Sequence, residues 1–215
     1  TVSGITATDK TYDRTVFAAI DTTSALLVGA AIGDTITLDV SGATGVFLTA
    51  TVGTGKTVQV SGITISGTNS EHYELEQPTA SADIDSATLT VVGITAADKT
   101  YDGSTTAVVS YAGALLVGVE AGDTVVLDSS GASGAFVSPF PGLRAVNFTG
   151  LAIGGADSGN YTLAAVATAA NITSKTITVT GLAAADKVYD RTTTATFSGT
   201  GVLVGVESGD TVALD

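Results

Sequence analysis

Asp9-Lys10-Thr11-Tyr12-Asp13 returns as Asp98-Lys99-Thr100-Tyr101-Asp102 and again as Asp186-Lys187-Val188-Tyr189-Asp190. The offsets are 98 − 9 = 89 and 186 − 98 = 88 residues, and a fixed period marks tandem structural repeats rather than one large domain. Other landmarks keep the same beat. Gly33-Asp34-Thr35 with Leu38-Asp39 recurs as Gly122-Asp123-Thr124 with Leu127-Asp128, then as Gly209-Asp210-Thr211 with Leu214-Asp215. Tyr73 and Leu75 recur as Tyr161 and Leu163. The chain therefore reads as repeat 1 (1–89), repeat 2 (90–177) and a truncated repeat 3 (178–215).

Within a repeat the signals are those of strands. Thr35-Ile36-Thr37-Leu38-Asp39 and Thr57-Val58-Gln59-Val60-Ser61 alternate polar and apolar, the period of a strand with one wet and one buried face. Further strands are expected at 1–7, 15–20, 25–29, 46–52, 63–66, 72–77 and 79–84, bounded by Gly, Asp, Asn or Ser. No stretch of ten residues carries a capped helical period. So many short strands in one repeat predict an all-β fold of tandem immunoglobulin-like β-sandwiches. Ile36, Leu38, Val58 and Val60 are the expected core of the first, Val125 and Leu127 of the second. Asp157-Ser158-Gly159-Asn160-Tyr161-Thr162-Leu163 has the spacing of the tyrosine corner of such domains, and Asn69, Tyr73 and Leu75 repeat it in the first unit.

Composition narrows the function classes. The 215 residues carry 21 acidic and 8 basic groups, a net charge of −13, which opposes both phosphate backbones and anionic lipid. Nucleic acid is therefore not an expected partner, and no apolar run is long enough to insert into a membrane. The chain has no Cys, which excludes disulfides, thiolate metal sites and cysteine nucleophiles. It starts at Thr1 with no initiator Met or signal-like segment, as expected of an internal piece of something longer.

The Asp-Lys-x-Tyr-Asp opening, the Gly-Asp-Thr middle, Val52-Gly53-Thr54-Gly55-Lys56-Thr57-Val58 and the closing Gly159-Asn160-Tyr161-Thr162-Leu163 resemble the YDG repeats of bacterial surface proteins. Such repeats occur in filamentous haemagglutinin-like and giant surface adhesins. The resemblance covers essentially the whole chain and implies an extracellular, cell-surface shaft or stalk. Two departures stand out. The name-giving Gly is present only as Gly103, with Arg14 and Arg191 elsewhere, and repeat 2 replaces the Val-Gly-Thr-Gly-Lys segment with Pro139-Phe140-Pro141-Gly142-Leu143-Arg144.

Because Arg resists positive φ, two Arg in three copies predict an ordinary negative φ at that turn, with Asp13, Asp102 and Asp190 organising it through backbone N–H groups. No catalytic constellation emerges. His72 is the sole His and stands where repeat 2 has Asn160, so the expected role is a solvated residue entering a strand. Gly53-Thr54-Gly55-Lys56-Thr57 lacks the spacing of a phosphate loop and reads as a hairpin turn. No cofactor is expected. Calcium is the one metal candidate, through Asp9, Asp13, Asp21, Asp34 and Asp39 with their counterparts in repeat 2, although no stretch has the alternating ligands of a calcium loop. A Lys10 or Lys99 isopeptide bond to Asn69 or Asn160 is the covalent alternative. Asn147, Asn160 and Asn171 lie in glycosylation sequons.

The expected function is structural: a shaft with neighbouring repeats, and other copies in a filament, as its partners. The runner-up is a glycan- or partner-binding module built on Phe136, Phe140 and Phe148 around the Pro insert. Repeat 3 is half a sandwich by this reading, so the chain is expected to be a window on a longer array, with strand donation from a neighbour as the alternative.

Overall fold

The computed structural model describes residues 1–214. All its regular structure is strand, apart from two single-turn 3-10 segments at Ser70–His72 and Ser158–Asn160. Leu214 is described; its partner in the repeated motif, Asp215, lies outside the described residues. The chain forms two compact units that are out of phase with the sequence period. Unit 1 comprises Thr1–Val92, Leu115–Asp128 and Ala152–Ala164; unit 2 comprises Gly93–Ala114, Ser129–Leu151 and Ala165–Asp215.

In unit 1 a five-stranded sheet runs in the order Lys10–Thr11, Thr79–Asp85, Gly53–Ser61, Thr44–Phe47, Phe17–Ala18. The first pair is parallel, with Ile84 opposite Lys10, and the others are antiparallel. Alternation sends Gly45, Phe47, Val58 and Val60 inward, as period-2 patterning requires. Gly45 is a packing necessity, since a Cβ there would sit 2.6 Å from the Ile20 side chain and 2.9 Å from the Ala18 carbonyl. The register slips between Ala82 and Ile84, and the Asp9 carboxylate accepts the Asp83 N–H at that bulge, at 2.7 Å.

Two apolar clusters hold unit 1. Val2, Val60 and Ile63 form one, with Leu38 packed against it. The other joins Tyr12, Phe47, Val58, Ile84 and Leu89 to Tyr161 of repeat 2, with Leu116, Val125, Ile153 and Leu163 around them. Leu89 and Val58 are fully buried, each worth about 1.5–3 kcal/mol of transfer free energy. The expectation of a separate core for each repeat is thus corrected: residues of repeat 2 complete the core of repeat 1. Ile36, Leu38, Val125 and Leu127 are only half-buried.

Leu89 gets there on the strand Ala87–Val92, which pairs antiparallel with Leu115–Val117 and parallel with Tyr161–Leu163. The equivalent segment of repeat 1, expected as a strand at 72–77, has no ladder partner and follows the 3-10 turn as irregular chain. The expected strand 46–52 ends at Phe47, and Gly53-Thr54-Gly55-Lys56-Thr57 lies inside the strand Gly53–Ser61 rather than in a hairpin turn.

Unit 2 repeats the sheet: Lys99–Thr100, Ala167–Thr173, Gly142–Thr149, Ser133–Phe136, Thr106–Ala107, again with a parallel first pair. Its cluster is Ala107, Phe136, Val146, Ala170 and Ile172, with Tyr101 and Phe148 packed against it. Thr178–Thr180 pairs with Val202–Val204, and Ala183–Ala184 with Phe197–Ser198.

Candidate functional site

The repeated Asp-Lys-x-Tyr-Asp motif builds two linked devices. The first is a turn closed around a lysine. Lys10 Nζ lies 2.6 Å from Asp13 Oδ1 and donates to Thr15 Oγ1, the Thr15 carbonyl and the Phe17 carbonyl at 2.8, 2.9 and 3.1 Å. Lys99 does the same with Asp102, Ser104 and Thr106, and Lys187 with Asp190, Thr192 and Thr194. The aspartates also accept the N–H two residues on, from Thr15, Ser104 and Thr192, as the sequence led us to expect. The Lys99 hydrogen bond, seconded by the Ser104 N–H, pulls the Asp102 carboxyl down to about 2.

The residue after each aspartate is left-handed: Arg14 at φ 63°, Gly103 at 72° and Arg191 at 65°. This corrects the expectation of negative φ. The strain of a side chain there, about 1–2 kcal/mol, is offset at Arg14 by a contact that local sequence cannot show. Arg14 Nε pairs with Asp123 Oδ1 at 2.7 Å, and its Nη1 donates to the Ala121 carbonyl.

Asp123 is the centre of the second device, a clasp. Its side chain is only 2% exposed, and its Oδ2 accepts from Tyr12 at 2.9 Å and from Tyr161 at 2.6 Å. The two rings meet edge to face with centroids 5.4 Å apart. Tyr161 also accepts the Glu120 N–H at 3.0 Å. Burial and then the bond to Asp123 push the Tyr12 hydroxyl up to about 12, and the Tyr161 hydroxyl moves up for the same reasons. Burial disfavours the Asp123 charge, yet the bonds from Tyr161 and Tyr12 and the nearby Arg14 hold its carboxyl below the usual range. The tyrosine-corner expectation is therefore corrected. The Tyr161 hydroxyl reaches about forty residues back along the chain, and Asp157 instead accepts the Thr124 N–H.

The clasp recurs in unit 2, where the Tyr101 hydroxyl donates to Asp210 at 3.0 Å. In repeat 1, Tyr73 donates to Asp34, Asn69 Nδ2 donates to the same carboxylate at 2.7 Å, and the Ala31 N–H donates to the Tyr73 hydroxyl at 2.9 Å. Tyr12 is 6% exposed and Tyr189, its counterpart in repeat 3, is 84% exposed.

The remaining candidates are dispersed. Phe136 is buried and Phe148 rests on Tyr111, whereas Phe140 is 62% exposed. The three Phe do not form one surface. Arg144 fixes the Phe140 turn by donating to the Phe140 and Pro141 carbonyls at 3.0 and 2.9 Å. Asp98 accepts the Asn171 N–H as Asp9 accepts that of Asp83, and Asp186 is exposed. Among the described residues no three His, Cys, Asp or Glu side chains gather as metal ligands, and no helix is long and apolar enough to cross a membrane. The isopeptide pairing has no geometric basis, because Lys10 and Lys99 are held in their turns while Asn69 and Asn160 bond to Asp34 and to the Val52 N–H. Asn160 is buried, which removes it as a glycan acceptor. His72 is exposed on the 3-10 turn.

A family model described as YDG domain matches the chain twice, over residues 1–81 and 85–169. No curated protein matches it. The match corrects the identification with filamentous haemagglutinin-like and giant surface adhesin repeats: its description names a YDG domain and no adhesin. The cell-adhesion and extracellular attributes implied by that resemblance fall with it. On two matched stretches that cover most of its length, the chain belongs to the YDG domain family.

Proposed function

We propose that this chain is a structural segment in which consecutive YDG repeats are locked together, each supplying side chains to the next, and that it catalyses nothing. We read each repeat as a sandwich of immunoglobulin-like strand order, since Val60 of the five-stranded sheet shares a cluster with Leu38 of the facing strand pair. The observation that carries the function is the clasp at Asp123. A buried carboxylate receiving Tyr12 and Arg14 from one repeat and Tyr161 from the next is a joint, and a joint is what transmits load along an array.

The test is mechanical. In single-molecule pulling from the two ends, Asp123→Ala should lower the force at which unit 1 yields, and Asp34→Ala should not. Equal forces for both variants would sink the reading. The YDG name is also attached to SRA-type readers of DNA modification, so methylated duplex DNA is the ligand to set against this reading. A charge of −13, with Lys10, Lys99 and Lys187 each held against an aspartate, favours no retention of such a duplex at physiological salt.

One observation favours a second reading, a glycan- or partner-binding surface on unit 2. Phe140 stands exposed beside a cleft lined by Tyr101, Pro141, Ile177, Val206 and Val212. Under that reading Phe140→Ser abolishes ligand capture without changing the unfolding curve.

A further inference from the structure

Resting on the interlocking reading above, we infer that Tyr12 and Tyr161 form a cross-linking site, at which oxidation joins the two rings carbon to carbon as dityrosine and makes the joint between consecutive repeats covalent. Composition favours it. Thiols and thioethers are the side chains that ordinarily absorb oxidising equivalents, and the chain has no Cys and no Met, nor any Trp. Its 6 Tyr are then the most readily oxidised groups it carries. Among the described residues, Tyr12 and Tyr161 are the one pair of tyrosines whose rings meet.

A dityrosine bond forms between ring carbons ortho to the hydroxyls, because a tyrosyl radical carries much of its unpaired spin there. Both hydroxyls donate to the same atom, Asp123 Oδ2, at 2.9 Å from Tyr12 and 2.6 Å from Tyr161, so those carbons are gathered around one point. The ring centroids are 5.4 Å apart and the planes cross at 78°, which sets an edge of one ring against the other. Burial then selects the partner. Each tyrosine is only 6% exposed, so a radical on either one faces the other ring and not a second molecule. Electrons tunnel through packed protein, and the oxidant needs no contact with the rings.

The proton has a place to go. A phenol sheds its proton as it loses an electron, and the Asp123 carboxylate already accepts both hydrogen bonds, held as an anion by Arg14 Nε at 2.7 Å. In the full reaction each phenol gives up one electron and one proton, the two radicals pair in a carbon–carbon bond, and the hydrogens on the joined carbons move to the oxygens to restore the phenols. One hydrogen peroxide, acting through a haem peroxidase, takes up the two electrons and two protons and becomes two waters. The link closes a loop of 161 − 12 = 149 positions, and a cross-link over so long a loop restricts the unfolded chain strongly.

The experiment oxidises the dilute full chain with hydrogen peroxide and a haem peroxidase, then maps the monomer by trypsin digestion and mass spectrometry. Cleavage after Lys10 and Arg14 releases Tyr12 in the peptide 11–14. The monomer should lose two hydrogens, gain dityrosine fluorescence, and yield peptide 11–14 joined to the peptide that holds Tyr161. Tyr12→Phe and Tyr161→Phe, each checked for folding by its unfolding curve, should lose that product, and Tyr111→Phe, outside the pair, should keep its full yield. Oxidation of the wild type in denaturant should lose it too, since only the fold brings the two rings together. A folded wild-type chain that stays unlinked, that links only other tyrosines, or that makes the same link when unfolded overturns the inference. If no link forms while Asp123→Ala still lowers the pulling force, only the cross-linking site falls. A linked chain that yields at the force of the unlinked one keeps the site and removes the interlocking reading.

Discussion

The corners around Tyr73 and Tyr161 share a sequence pattern and differ in what covers them. Around Tyr161 the chain becomes a ladder strand, Asn160 is buried and the carboxylate is saturated by three side chains. Around Tyr73 the same pattern is irregular and Tyr73 is only half-buried. Local sequence writes the corner, and the arrival of Ala87–Val92 and the Tyr12 turn turns it into a strand. Secondary structure here is a consequence of docking, because an extended segment without a hydrogen-bonded neighbour gains nothing from its geometry.

The largest expected break in that comparison comes from Leu89→Ala. Leu89 is fully buried in the cluster that includes Tyr161, and its truncation should destabilise unit 1 by about 2–5 kcal/mol in denaturant unfolding. Leu75→Ala, at the half-buried corner, should cost markedly less.

The hydroxyls come next. Tyr161→Phe removes a donor from buried Asp123 and an acceptor from the Glu120 N–H, for a loss of about 1–3 kcal/mol. Tyr73→Phe leaves groups that water reaches, so the same measurement should find it close to neutral. Equal costs at the two sites would mean that the Tyr161 clasp is no more protected than the Tyr73 pair.

The left-handed arginines sharpen the picture at smaller scale. Arg191→Gly should relieve backbone strain and raise stability by up to about 1 kcal/mol. Arg14→Gly relieves the same strain but surrenders the pair with Asp123, so it should be neutral or destabilising, and the difference between the two variants isolates that pair.

Smallest is a pH effect at the alkaline end. A tyrosine whose hydroxyl is raised from 10 to about 12 in the folded chain contributes stability that is complete below pH 10 and is lost as pH rises through 12. Stability measured from pH 9 to 12 should fall less steeply in Tyr12→Phe than in the wild type.

Much of this was legible in the residues. The 88- to 89-residue beat, the alternation that buries Val58 and Val60, and the aspartate-organised turns all follow from spacing and from the preferences of single side chains. What escaped is long-range. Tyr12 and Asp123 are 111 positions apart, and no periodicity says that a motif of one repeat will fill the corner of the next. The left-handed φ of Arg14 has the same root: its steric cost is local, and the compensating carboxylate lies in another repeat. The aromatic surface expected around the proline insert does not form, because strand alternation turns Phe136 inward and only the Phe140 turn faces outward.

The lysine turns have one more consequence. An ammonium group surrounded by a carboxylate, a hydroxyl and two carbonyls occupies the place that a bound metal ion takes in many loops, and it does so at a fixed stoichiometry of one per turn. A diffusible ion leaves when its concentration falls. A tethered cation cannot be diluted or chelated away, so the order of these turns does not depend on a supply of free metal ions.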